Sequence, residues 1–97
     1  MKDYEKKIKE HQILFADGFD QAIVGIDMDT DLPRVIYSKE MMIAIIAEEI
    51  GEEDAIDFLQ YNVWGAYVGT GTPMYINTGN REEVERLAED WEADNGQ

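Results

Sequence analysis

The 97-residue chain contains no cysteine, one serine, one histidine and only eight lysines and arginines. The absence of cysteine excludes disulfides, zinc–thiolate sites and thiol nucleophiles, and is typical of a protein that folds in a reducing compartment. Ser38 is better explained as a helix cap, and His11 lies on the apolar stripe of a predicted helix, so a nucleophilic triad has no basis. We therefore expect a protein that is not an enzyme and uses no cofactor.

Long hydrophobic runs are also lacking. The longest, from Met41 to Ala47, has seven residues, against roughly 20 for a helix that spans a bilayer. The first residues, MKDYEKKIKEH, are charged throughout and have no apolar stretch of the kind found in secretory signals. These features predict a cytoplasmic protein with no membrane partner.

Positive charge is scarce, and the net charge is −14. Residues 1–10 sum to +1, so the remainder of the chain carries −15. A nucleic-acid binder needs basic clusters that replace counterions, and none exists beyond the lysines at the start of the chain. The sequence thus argues against direct nucleic-acid binding. The acidic residues would either attract a basic protein surface or only keep the protein soluble.

Apolar spacing predicts a single α+β domain over residues 1–97, with a small antiparallel sheet of about three strands and about four helices. An N-terminal helix over 1–16 and an acidic C-terminal helix within 81–97 flank its core. Between them, the pattern predicts strands at 22–28, 34–37 and 72–76, the first two forming a hairpin, and helices at 39–50 and 52–62.

Several local signals sharpen these predictions. Ser38 and Gly51 bracket the apolar helix 39–50, which we expect at the centre of the core or against a partner. Asn80 and Glu83 form a capping box at the start of the last helix. In the first strand, one face would carry Val24, Ile26 and Met28, and the other Ile23 and Asp27.

Asp27, Asp29 and Asp31 have the alternating spacing with which calcium loops begin. Counted from Asp27, however, the sixth position is Leu32 rather than glycine and the twelfth is Ser38 rather than glutamate. This is not an EF-hand. A solvated hairpin tip is the favoured interpretation, and a weak divalent-ion site stays open as the alternative.

The segment YNVWGAYVGTGTPMYI, residues 61–76, is uncharged within an acidic chain. Its glycines fit neither the P-loop nor the dinucleotide motif, so a helix-to-strand turn is favoured. Its aromatic residues could form a stacking platform, although such platforms usually lie in basic grooves, and no basic residue occurs here. We predict that the exposed side of the turn is a binding surface, composed of Asn62, Trp64, Tyr67, Thr70 and Thr72.

Three stretches of the sequence, FDQAIVGID (19–27), PRVIYS (33–38) and EEDAIDFLQYNVWGAYVGTGTP (52–73), carry a resemblance. Together they are similar to a family of small, uncharacterised bacteriophage proteins, over roughly residues 17–77. The sharpest element is the aromatic-Asn-Val-x-Gly-Ala-aromatic-Val-Gly pattern. The resemblance implies a phage origin and expression in the cytoplasm of an infected bacterium, and it implies no particular activity.

We therefore expect a small acidic phage-type protein that binds a host protein. Inhibition of that host protein is an additional hypothesis. The partner would have a basic or nucleic-acid-binding surface. Two alternatives remain. One is a module that binds a small, nucleotide-like ligand through Tyr61–Tyr75, and the other is a self-associating accessory protein that forms a homodimer.

Overall fold

A computed structural model describes residues 13–95 as an α+β fold. In chain order its regular elements are β1 (Ile23–Asp27), β2 (Arg34–Ser38), α1 (Lys39–Ile50), α2 (Glu52–Leu59), β3 (Met74–Ile76) and α3 (Arg81–Asn95). A short 3₁₀ turn precedes β1, and a π-helical turn, Gln60–Trp64, continues α2.

The three strands form one mixed sheet in the order β1-β2-β3. β1 and β2 are the predicted antiparallel hairpin, with an irregularity between Ile23 and Gly25. β2 and β3 run parallel, with Tyr37 opposite Tyr75, so the prediction of a purely antiparallel sheet is wrong. The reason is the connection: α1 and α2 lie between the two strands and return the chain to the end of the sheet where β2 began, as parallel pairing requires.

Three α-helices lie between residues 13 and 95, and the predicted number of about four is slightly too high for this part of the chain. The predicted helix at 1–16, including His11, falls mostly outside the described residues. Its last residues, from Ile13 to Ala16, have no regular structure. The chain then turns at Asp17 and Gly18, as predicted, with Gly18 at φ +91°.

The core lies where the sheet meets α1 and α2. Its fully or nearly fully buried apolar residues are Phe19, Ala22, Val35, Tyr37, Met42, Ala55 and Leu59. Tyr37 stands at the centre, with its ring 5.6 Å from that of Tyr75 and its hydroxyl accepting a 2.7 Å hydrogen bond from the Ala16 amide. Burial raises the pKa of the Tyr37 hydroxyl, so this group stays a neutral hydrogen-bonding anchor at physiological pH.

The central position predicted for α1 is confirmed on one side of the helix only. Met42 is fully buried and Ile46 is half-buried, whereas Met41 and Ile50 are exposed. The caps are those the sequence predicts: Ser38 Oγ accepts a hydrogen bond from the Met41 amide, and Gly51 ends the helix at φ +88°. The open side of α1 is a surface onto which no element from residues 13–95 closes.

β1 alternates in burial as its sequence predicts. Ile23 and Asp27 are half-buried, whereas Val24 and Ile26, and Met28 directly after the strand, are exposed. The more apolar set therefore faces solvent. No layer among the described residues covers this face of β1.

Candidate functional site

Residues 65–73, which we call the glycine loop, connect α2 to β3. They follow directly after a π-helical turn, Gln60–Trp64. Such turns are rare and are often found at functional sites. Asn62, one of the predicted binding residues, donates a 3.0 Å hydrogen bond from its amide to the carbonyl of Phe58. Its side chain therefore satisfies a carbonyl near the end of α2, which is a structural role.

The loop then tightens around Thr72. Gly69 and Gly71 adopt φ values of +106° and +89°, which a residue with a β-carbon rarely adopts. The Thr72 amide donates to the Gly69 carbonyl at 3.1 Å, and the Thr72 hydroxyl accepts from the Val68 amide at 3.0 Å. Two of the three glycines thus have the role in a turn that the sequence predicts.

Two contacts hold this loop against the β1–β2 hairpin. A β-carbon at Gly71 would lie 2.7 Å from Cδ2 of Leu32, so a larger residue would require the Leu32 side chain to move. Arg34 Nε donates a 2.6 Å hydrogen bond to the Thr72 carbonyl. The glycine loop and the hairpin therefore form one surface, although 38 residues separate Arg34 from Thr72 in the chain.

Trp64 faces the core from the other side of the loop. Its indole N–H points to the sulfur of Met42 at 3.5 Å, and the ammonium group of Lys39 lies 4.8 Å from the ring centroid. At this distance the ammonium interacts favourably with the face of the indole. The contact places Lys39, the first residue of α1, beside the glycine loop.

Two adjoining clefts open on this surface. The first, of about 300 Å³, lies between the hairpin tip and the loop; its lining includes Asp31, Arg34, Tyr67, Thr70 and Thr72. The second, of about 410 Å³, is lined by Arg34, Lys39, Trp64, Gly65, Ala66, Tyr67, Thr72, Pro73, Met74 and Tyr75. The two share Arg34, Tyr67 and Thr72. We call the second one the Arg34–Lys39 cleft.

The structure therefore brings together four of the five predicted binding residues. Tyr67 and Thr72 line both clefts, Thr70 lines the first, and Trp64 lines the second. Asn62 lies apart, in an apolar groove near Leu14 and Phe15. Thr72 and Trp64 are half-buried and already engaged, while Tyr67 is 79% exposed and is the member best placed to contact a ligand.

Arg34 and Lys39 are the lining residues that sequence reasoning missed. The uncharged segment itself contains no basic residue, but β2 and α1 supply two cations to it. The sequence does contain one indication of this pair, since residues 13–95 include only four lysines and arginines. Arg34 begins the strand predicted at 34–37, and Lys39 follows shortly after that strand ends. Their convergence on the loop depends on the parallel placement of β3, which local patterns do not reveal.

The acidic hairpin tip contains a local turn. Asp27 Oδ1 accepts a 3.0 Å hydrogen bond from the Asp29 amide, which is a local turn interaction. Between residues 13 and 95, no three His, Cys, Asp or Glu side chains are grouped so that they could hold a metal ion. Asp29 and Asp31 are exposed and Asp27 is half-buried.

A second surface with functional potential is α3. Its first turn is closed by the predicted capping box: the Glu83 amide donates to Asn80 Oδ1 at 2.9 Å, and the Asn80 amide donates to Glu83 Oε1 at 2.8 Å. Every residue of α3 is exposed. The helix thus presents its apolar stripe, Val84, Leu87 and Trp91, to solvent.

The base of α3 is tied to α1 by a polar cluster. Glu40 accepts hydrogen bonds from the Asn77 side chain at 2.9 Å and from the Thr78 amide at 2.8 Å. Ser38 Oγ lies 2.7 Å from the Thr78 hydroxyl. Burial alone would raise the pKa of Glu40, but the hydrogen bonds from Asn77 and Thr78 outweigh it and lower the pKa. The segment before α3 is therefore anchored even though the helix itself is not covered.

Comparison with known proteins gives no family assignment: no protein-family model, no curated protein and no solved structure matches the chain. Among residues 13–95, no helix combines the length and the apolar character needed to cross a membrane.

Proposed function

We propose that the protein is a non-enzymatic interaction protein that inserts the apolar stripe of α3 into a partner groove rimmed by lysine and arginine. The observation that carries this proposal is the exposure of the stripe: Val84, Leu87 and Trp91 are 48%, 40% and 64% accessible. These residues lie on one face at i, i+3 and i+7, the spacing with which amphipathic helices occupy grooves in other proteins.

The charge around the stripe indicates the chemistry of the partner. Two arginines and seven acidic residues give α3 a net charge of −5. Arg81 is engaged with Glu85 at 2.8 Å, so the face around the stripe is predominantly acidic. An apolar centre with an acidic rim is complementary to a groove with a basic rim, and the charge would also accelerate association.

The same charge argues against the homodimer alternative. Two copies of α3 packed through their stripes would bring two acidic rims together, and like charges placed close to one another are destabilising. The resemblance to phage proteins makes a host protein the expected partner. A host protein that binds nucleic acid would have the required basic surface, and its occupation by α3 would inhibit it.

The proposed absence of enzymatic activity is supported by the state of the single serine. Ser38 is fully buried, and its hydroxyl is already bonded to the Met41 amide and to Thr78. A catalytic nucleophile needs access to substrate and a neighbouring base. Ser38 acts instead as a helix cap.

A pull-down from bacterial lysate tests the proposal when three chains are compared. These are the wild type, the stripe variant Leu87→Asp/Trp91→Ala, and the control Met28→Ala, which removes an apolar side chain as exposed as Trp91 from the residue that follows β1. We expect a protein captured by the wild type and the control but not by the stripe variant. Once purified, that protein should bind more weakly as salt concentration rises.

Two outcomes would overturn the proposal. One is capture that is unchanged in the stripe variant, because the contact would then lie elsewhere. The other is the absence of any stripe-dependent partner, combined with a concentration-dependent dimer in analytical ultracentrifugation that the stripe variant abolishes. That result would establish self-association as the role of α3.

A further inference from the structure

The Arg34–Lys39 cleft has a charge opposite to that of the molecule. Residues 13–95 contain nineteen acidic residues and four lysines and arginines. Two of those four cations line this cleft, and no acidic residue does. A distribution that places half of the available positive charge in one acid-free cleft marks it as a site for an anion.

Neither cation is neutralised by the described part of the chain. Between residues 13 and 95, the sole ion pair within 4.0 Å is Arg81 with Glu85. Arg34 uses Nε to bond the Thr72 carbonyl, which leaves the two terminal amino groups of its guanidinium for another acceptor. A guanidinium held in this way is suited to bind two oxygens of one phosphate.

Both cations are also held in place before any ligand arrives. The bond to Thr72 fixes Arg34 against the glycine loop, and the indole of Trp64 supports Lys39 from 4.8 Å. Such preorganisation reduces the entropy lost when a ligand binds. Arg34 and Lys39 are therefore oriented toward the cleft by contacts within the protein.

The walls of the cleft are aromatic. Trp64 is occupied by Lys39 on one face and Tyr75 packs beside Tyr37, so Tyr67 is the ring that remains free to stack. It is 79% exposed and borders both clefts. Tyr67, Arg34 and Lys39 all line the same cleft, and its volume of about 410 Å³ falls within the range of small-molecule sites.

We infer that the Arg34–Lys39 cleft binds a small aromatic phosphate of the nucleoside monophosphate class, with its phosphate on Arg34 and Lys39 and its ring stacked on Tyr67. This site is separate from the α3 stripe, and binding there is independent of the proposed partner. Stacking platforms usually lie in basic grooves, and residues 61–76 contain no basic residue. Arg34 of β2 and Lys39 of α1 supply the positive charge.

Isothermal titration of the full chain with AMP, GMP, CMP and UMP tests the inference, with the four corresponding nucleosides and inorganic phosphate as half-ligands. We expect at least one monophosphate to bind at least ~10-fold more tightly than either half, because ring and phosphate are held by different groups. Tyr67→Ala should weaken binding at least ~5-fold, the lower end of the effect of losing one stacking ring. Lys39→Gln should weaken it and reduce its dependence on salt.

Two control variants make the test specific. Tyr61→Ala removes a tyrosine that is 83% exposed and does not line the cleft, and Arg86→Gln removes a cation from α3. Both should bind as the wild type does. The inference is overturned if no monophosphate binds, if inorganic phosphate binds as tightly as the best monophosphate, or if the controls weaken binding as much as Tyr67→Ala and Lys39→Gln.

Discussion

Arg34 and Thr72 are joined by a 2.6 Å hydrogen bond from guanidinium to main-chain carbonyl. The bond connects the start of β2 with the residue that closes the glycine loop, and it sets the width of the space between them. Because Thr72 also bonds the Gly69 carbonyl and the Val68 amide, the position of Arg34 and the shape of the loop depend on each other. A change in the loop should therefore affect the cleft as well as stability.

Gly71→Ala should destabilise the protein through two separable effects. The positive φ of Gly71 costs an alanine about 1–2 kcal/mol, and contact with Leu32 at 2.7 Å adds a steric penalty. Gly69→Ala supplies the control, since φ is also positive there but the space for a β-carbon is open. Urea denaturation should show a larger loss for Gly71→Ala than for Gly69→Ala, and adding Leu32→Ala to Gly71→Ala should cost less than Leu32→Ala alone. Equal losses at the two glycines would show that the contact with Leu32 is not restrictive.

Ser38→Ala should lower the free energy of unfolding by about 1–3 kcal/mol. The substitution removes the cap of α1, which is typically worth about 1 kcal/mol, and deprives the Thr78 hydroxyl of a partner in a site where Ser38 is fully buried. Thermal or chemical denaturation measures the effect. Thr78→Val keeps the cap but removes the bond to Ser38 together with the 3.3 Å hydrogen bond from the Thr78 hydroxyl to Glu40. Because the bond to Glu40 is long and exposed, we expect the total cost to be smaller than that of Ser38→Ala. A larger cost would mean that the bonds of the Thr78 hydroxyl stabilise the protein more than the cap does.

The interactions that the sequence predicts correctly are local ones. The Ser38 cap, the Gly51 terminus and the Asn80–Glu83 capping box each involve residues within a few positions of one another, and their geometry follows from residue type. The direction of β3 was predicted wrongly because it depends on how α1 and α2 pack. The cations of the cleft were missed for the same reason: Arg34 meets Thr72 only after the parallel strand has formed.

Local sequence patterns also do not predict which face of a helix or strand is buried. The stripe of α3 has the spacing of a helix packed on a core, yet Leu87 and Trp91 are exposed. The amphipathic pattern establishes which residues share a face, but it does not establish what covers that face. The same distinction holds for Val24 and Ile26 on β1.

The stability of the protein should depend on the ionisation of Glu40. Its pKa in the folded protein is lowered from the ordinary value of 4.5, so the carboxylate contributes stability that is present above that value and is lost as pH falls through the folded pKa. Glu40→Gln should therefore be less stable than the wild type at pH 7, and the difference should shrink as the pH falls below 4.5. Glu48→Gln is the control, since Glu48 lies exposed on the same helix. A Glu40→Gln deficit that stays constant with pH would contradict the prediction.

Asn80→Ala should loosen α3 without unfolding the rest of the protein. Loss of the capping box removes about 1 kcal/mol of local helix stability, but every residue of α3 is exposed, so little of that energy is coupled to the core. Amide hydrogen exchange should accelerate in the first turns of α3, while the urea midpoint of the core signal stays close to that of the wild type. Asn95→Ala is the matched control: its side chain bonds the Trp91 carbonyl at the other end of the helix, so its effect should be confined to the last turn. If Asn80→Ala shifted the core midpoint by the full cost of the cap, α3 would be packed against the body of the protein, and its stripe would not be free to bind a partner.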